Sequence, residues 1–116
     1  MITDVLLNKI VADIDGALTH IAIGNGRIPS VSDTKLEGEK IRKVADSYID
    51  QNTIIKELYL DENEGNDLTF TNVGLFGEGA TSAIGTGSLM TGGRMDLQKG
   101  LKQSVTISLE ITVERT

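Results

Sequence analysis

The 116-residue sequence predicts a mainly β fold, an antiparallel β-sandwich or rolled sheet with one N-terminal α-helix. Three observations carry that expectation. The last segment alternates strictly, with Val105, Ile107, Leu109, Ile111 and Val113 interleaved by Thr106, Ser108, Glu110, Thr112 and Glu114. Such a period of two puts one face in oil and the other in water. Glycines, 13 in all, punctuate the rest of the chain as turns do. Helical periodicity is confined to the start.

In that start, Thr3 or Asp4 caps a helix that runs to about Ile14, within residues 3–15. Its apolar positions are Val5, Leu6, Ile10, Val11 and Ile14, and Gly16 is a natural stop. Leu18 to Ile23 then alternates, with Thr19, Ile21 and Ile23 on one side and Leu18, His20 and Ala22 on the other. Gly24-Asn25-Gly26 opens a loop through Pro29 to Asp33. Thr34-Lys35-Leu36-Glu37 has the form of a capping box for one helical turn, and Glu39 to Ile49 reads as mostly extended.

Thr53 to Leu60 is a strand by its β-branched and bulky residues. The acidic stretch Asp61 to Asp67 is a solvated connection, and Leu68 to Phe76 is extended again. In it Leu68, Phe70, Asn72, Gly74 and Phe76 share one parity, and Val73 and Leu75 the other. Ala83 to Met90 reads as a small-residue strand interrupted by Gly85 and Gly87, a pattern that suggests a bulge or a close backbone approach. Thr91-Gly92-Gly93 reads as the start of a loop past Gly100, with 92–100 its most mobile part. The whole, residues 1–116, is expected to be one domain: a helix at 3–15 and a β domain at 18–115.

Composition narrows the function. Hydrophobic residues are 39% and aromatics only 3%, so the core is built from Ile, Leu and Val, each worth about 1.5–3 kcal/mol when buried. The net charge of −6 argues against direct nucleic-acid binding, which needs clustered positive charge. It argues equally against an anionic membrane surface. No apolar run approaches a membrane span, and the start lacks the basic and apolar regions of a secretory signal. The absence of cysteine excludes disulfides and thiolate metal sites and fits a reducing cytoplasm.

No catalytic constellation appears. His20 is the single histidine, set in a strand pattern where packing is the plainer reading. No serine stands in a Gly-x-Ser-x-Gly elbow. The glycines do not form a dinucleotide or phosphate loop. Asp61, Glu62, Glu64 and Asp67 could attract Ca²⁺ but lack the EF-hand spacing, so a charged, solubilising loop is the simpler reading. The expectation is a non-enzyme without cofactor.

Leu18-Thr19-His20-Ile21-Ala22-Ile23-Gly24-Asn25-Gly26 is similar to the opening of phage tail-collar and tail-fibre N-terminal domains, and the order of the later motifs resembles theirs. Pro29, then Asp33-Thr34-Lys35-Leu36, then the charged strand Glu39-Lys40-Ile41-Arg42-Lys43 follow in the same order. Phe70-Thr71-Asn72-Val73-Gly74-Leu75-Phe76-Gly77 corresponds to an "Ile-x-Glu-Val-Gly-Leu-Phe" signature, with Asn72 where the acid usually stands. The likeness covers nearly the whole chain in order.

This resemblance implies a β-rich virion component, made in the host cytoplasm, acting through subunit contacts as a collar, neck, fibre-adaptor or capsid-associated protein. Fibres extend far beyond such a domain, so a chain ending at Thr116 is not expected to be a whole fibre. Self-association as a trimer or ring, together with other virion proteins, is the expected partnership. Val73, Gly74, Leu75 and Phe76 are the expected core motif, and Val5, Leu6, Ile10, Gly85 and Gly87 the candidate assembly contacts. The alternative is a carbohydrate- or ligand-binding β-sandwich module, for which Tyr48 and Tyr59 are the available aromatics.

Overall fold

A computed structural model describes residues 1–114; the expected domain ends at 115 and 116 lie outside the described residues. Helix α1 (Asp4–Ala17) precedes seven strands: β1 (His20–Gly24), β2 (Glu39–Val44), β3 (Asp46–Asp50), β4 (Thr53–Leu60), β5 (Thr69–Gly77), β6 (Ser88–Gln98) and β7 (Val105–Thr112). They form an antiparallel β-sandwich. One sheet has the order β2-β1-β5-β6 and the other β3-β4-β7.

β2 and β3 are nearly one strand. The chain leaves the first sheet at Val44 and enters the second at Asp46, and the Ala45 N–H between them donates to the Thr19 carbonyl at 3.0 Å. The sandwich is thus closed by continuous chain along one flank. On the opposite flank β6 and β7 are the outer strands of their sheets.

Leu18, Ile21, Ile23, Leu58, Leu60, Phe70, Val73 and Leu75 form the core between the sheets. Ala22, Leu36 and Phe76 form a second cluster, with Ala80 and Leu89 packed against it. All five residues of β1 are therefore buried, on both faces of the sheet. The expected motif lies within these clusters: Val73, Leu75 and Phe76 are buried, and Gly74 sits among them. Phe70 and Phe76 do not share a cluster as their parity suggested. The β5–β6 register shifts between Phe70 and Asn72, where β6 carries one extra residue. Such a bulge locally re-aims side chains.

Four expectations are corrected. The helix runs through Gly16 to Ala17, because its end is set by Leu18 turning extended with its N–H on the Asp15 carbonyl. Residues 34–37 form no helical turn; Leu36 instead inserts into the second cluster. The stretch from Ala83 to Gly87 is loop rather than strand, since Gly85 and Gly87 have φ of 88° and 70°. The stretch 92–98 is strand rather than loop. Thr91, Gly92 and Gly93 pair with Leu75, Gly74 and Val73, and β5 supplies the hydrogen bonds that local sequence did not foretell.

The radius of gyration is 14.9 Å and the extents are 50 × 29 × 24 Å. A round domain of this length would have a radius near 13 Å, so the molecule is elongated.

Gly77 fixes how α1 joins the sheet. A Cβ there would lie 2.0 Å from the Ala17 carbonyl oxygen, a backbone atom that has nowhere to go. Gly77→Ala is expected to destabilise the fold by about 1–3 kcal/mol, measured by urea unfolding, whereas Gly93→Ala, with open space around its Cα, should cost less.

Candidate assembly surfaces

One buried cation ties the C-terminal end of α1 to β4. Lys56 occupies an inward position of β4, between Ile54 and Leu58, and is 1% exposed. Its Nζ donates to the Asp15 carbonyl at 3.0 Å, to Asp15 Oδ1 at 2.7 Å and to Ser47 Oγ at 2.6 Å. A cation at the carbonyl end of a helix is favoured by the helix dipole as well as by the carboxylate. Leu7, Ile10, Val11 and Ile14 form the inward stripe of the helix, of which Val11 is fully buried. Val5 and Leu6 do not belong to it; they are 80% and 47% exposed. Of the three candidate contacts on the helix, then, Val5 and Leu6 face outward and Ile10 is half-buried.

The other two candidates, Gly85 and Gly87, lie in the loop between β5 and β6, which is tied down by a second buried cation. Arg42 pairs with Glu39 through Nε at 2.7 Å and Nη2 at 2.8 Å. Its Nη1 donates to the carbonyls of Thr81 and Thr86 at 3.2 and 2.6 Å and to Thr86 Oγ1 at 3.0 Å. Its guanidinium also lies 4.1 Å from the Phe76 ring centroid, a favourable cation–π placement. Lys35 Nζ donates to the carbonyls of Gly85 and Gly87. Gly87 is packed tightly against Gly77 and Ala80, whereas Gly85 has open space around it. Gly85 is exposed and Gly87 half-buried.

The loop between β1 and β2 is held in a similar way. Asn72 is fully buried, and its Nδ2 donates to the carbonyls of Arg27 and Glu37, both at 2.9 Å. Thr71 Oγ1 donates to the Gly26 carbonyl at 2.7 Å. Arg27 pairs with Asp33 at 2.8 Å and Glu37 at 2.9 Å. Hydrogen bonds from Arg27 and from the Ser30 N–H lower the Asp33 pKa to about 2.

In the acidic connection, Glu64 pairs with Lys43 at 2.6 Å and accepts from the Asp61 N–H at 3.0 Å, and both hold its pKa below the usual carboxylate range. Lys99, fully buried, donates to Asn66 Oδ1 at 2.6 Å. Among the described residues no three His, Asp or Glu side chains gather around one point as metal ligands would.

His20 is 8% exposed, between Val44 and Phe76 of the neighbouring strands, with Nδ1 2.8 Å from Thr19 Oγ1. Tyr48 and Tyr59 are half-exposed on the outer face of the β3-β4-β7 sheet. Among the described residues no helix is long and apolar enough to cross a membrane.

Sequence reasoning missed the buried cations Arg42, Lys56 and Lys99. For Lys56 a signal was present: a lysine at the inward parity of Ile54, Leu58 and Leu60.

Comparison with protein-family models gives no match, and comparison with curated proteins gives none.

Two predictions follow from the buried charges. Arg42→Met leaves Glu39, whose side chain is 4% exposed, without its partner. It should cost about 3–5 kcal/mol in urea unfolding and expose the loop around Gly85 to protease. The His20 pKa is lowered from 6.5 by burial and then by the charge of Arg42. The unfolded chain therefore takes up a proton that the folded chain refuses, and stability falls as the pH drops below 6.5. His20→Gln should flatten thermal stability between about pH 6.5 and 5, before carboxylates titrate.

Proposed function

We propose that this chain is a non-catalytic structural subunit of a tailed-phage particle, acting through contacts with copies of itself and with other virion proteins. The observation that carries the reading is the outward apolar surface of α1. Val5 and Leu6 are 80% and 47% exposed on a helix whose other end is locked to the sandwich by Lys56. A rigidly mounted helix that presents apolar side chains to water is suited to docking on a neighbour. The succession of motifs shared with phage collar and fibre N-terminal domains supplies the context, and the buried core motif Val73 to Phe76 fits a scaffold role for those residues.

The test is the mass of the purified chain by sedimentation over a wide concentration range, with particle composition by mass spectrometry. Association with concentration, weakened about tenfold or more by Val5→Glu with Leu6→Glu, is the expected result, since a charge at an interface core costs well over 1.4 kcal/mol. A chain that stays monomeric throughout and is missing from purified particles overturns the proposal.

A second reading, a carbohydrate-binding module, draws on the exposure of Tyr48 and Tyr59, 55% and 50%, on one sheet face. A glycan-array signal lost in Tyr48→Ala or Tyr59→Ala would favour it over the first.

A further inference from the structure

Four strands lie at sheet edges, and they are not alike. β2 carries Lys40, Arg42 and Lys43, and its register with β1 slips at Gly24. β3 is five residues long with Asp46 and Asp50 at its ends. β6 is broken by two register shifts and contains Gly92, Gly93 and Arg94. Charges, bulges and shortness are the devices that keep an edge from pairing with another chain. β7 has neither bulge nor shortness, and its one charge is Glu110. Its eight residues pair with β4 from Val105↔Leu60 to Thr112↔Thr53 without a slip, and it holds no Lys, Arg, Pro or Gly.

The free edge of β7 has a defined set of hydrogen-bonding groups. The Val113 N–H donates to the Asn52 carbonyl, and Asn52 Nδ2 donates to the Val113 carbonyl. Odd-numbered residues of β7 therefore direct their backbone toward β4, and Thr106, Ser108, Glu110 and Thr112 direct theirs outward. The same four side chains are exposed, whereas Val105, Ile107, Leu109 and Ile111 are only half-buried over the open flank of the sandwich.

We infer that β7 is a self-pairing edge whose occupant is β7 of a second copy, antiparallel across a two-fold axis at Ser108. This deepens the assembly reading above and rests on it. The sequence selects both partner and register. Opposed residues point to the same face, so odd must meet odd to keep apolar on apolar. With Ser108 opposite Ser108, Ile107 meets Leu109, Val105 meets Ile111 and Thr106 meets Glu110, which matches all of 105–111. A shift of the axis to Leu109 brings the two Glu110 side chains into diagonal proximity, and to Glu110 sets them face to face; like charges so placed repel. Moving the axis to Ile107 shortens the overlap. The pairing joins the two three-stranded sheets into one six-stranded sheet and adds about six backbone hydrogen bonds between residues 106 and 110.

The chain lacks cysteine, so a single introduced thiol reports the register. In Ser108→Cys the two Cα atoms stand about 5.5 Å apart in the pair, within disulfide range. In Thr112→Cys they stand roughly 27 Å apart. Mild oxidation should link most Ser108→Cys molecules into dimers and leave Thr112→Cys at background. Thr106→Glu, which faces Glu110 of the second copy, should raise the dimer dissociation constant roughly two- to thirtyfold over the two symmetric sites, and adding Glu110→Lys should restore it.

Equal crosslinking of both cysteine variants overturns the register. Association by sedimentation with no crosslink at position 108 overturns this interface and leaves the assembly reading standing on another surface. A chain that is monomeric at every concentration overturns this interface, and one that is also missing from purified particles overturns the assembly reading with it.

Discussion

The architecture turns on a sheet that must be covered twice. Ile21, Ile23, Val73 and Leu75 face the partner sheet, while Ala22 and Phe76 face away from it yet are equally buried. A four-stranded sheet with apolar side chains on both faces cannot leave either in water, and among the described residues α1 is the one helix. The covering is done by two irregular loops, one between β1 and β2 and one between β5 and β6. Irregular backbone needs fixed hydrogen-bond partners if it is to stay on a hydrophobic face. That requirement explains the buried polar groups: Asn72 holds the first loop by the carbonyls of Arg27 and Glu37, and Arg42 holds the second by those of Thr81 and Thr86.

Lys56 does the corresponding work for α1. Removing a lysine from water is costly unless its donors are all met, and here they meet the Asp15 carboxylate, the Asp15 carbonyl and Ser47. The helix, the β3 edge and the interior of β4 are thereby joined at one atom. A helix so anchored at its C-terminal end packs one stripe, centred on the buried Val11, against the sandwich and leaves Val5 and Leu6 outward at the other end.

Much of this was legible in the residues. The alternation of 105–113 and the bulky run 53–60 became β7 and β4, since in both one face is apolar and the ladder is regular. Between Ala83 and Gln98 the expected strand holds only over Ser88 to Met90, because small residues and glycines are silent about period: only pairing with β5 decides that Gly92-Gly93 is strand, and only a positive φ decides that Gly85 and Gly87 are turns. On the helix, Val5 and Leu6 fitted the apolar periodicity as well as Leu7 does, and the inward face is visible only in the fold, where Val11 is buried and Asp15 meets Lys56 41 positions away. Of the candidate contacts, Gly87 was beyond sequence reasoning because its neighbours Gly77 and Ala80 come together only in the fold.

The passage of the chain from one sheet to the other at Ala45 gives the sandwich a spine. Along that side the two layers are bound like pages, and the strands there, β2 and β3, are guarded by lysines, arginine and aspartates. With β7 pairing as inferred above, growth by strand addition would be confined to the fore-edge. A building block that accepts a neighbour on one side only has a valence of one for this kind of bond: it would close into pairs and would not run on into fibrils. Any larger ring or shell would then use a different, side-chain-mediated contact to link those pairs, so that the two kinds of joint would be free to form in sequence.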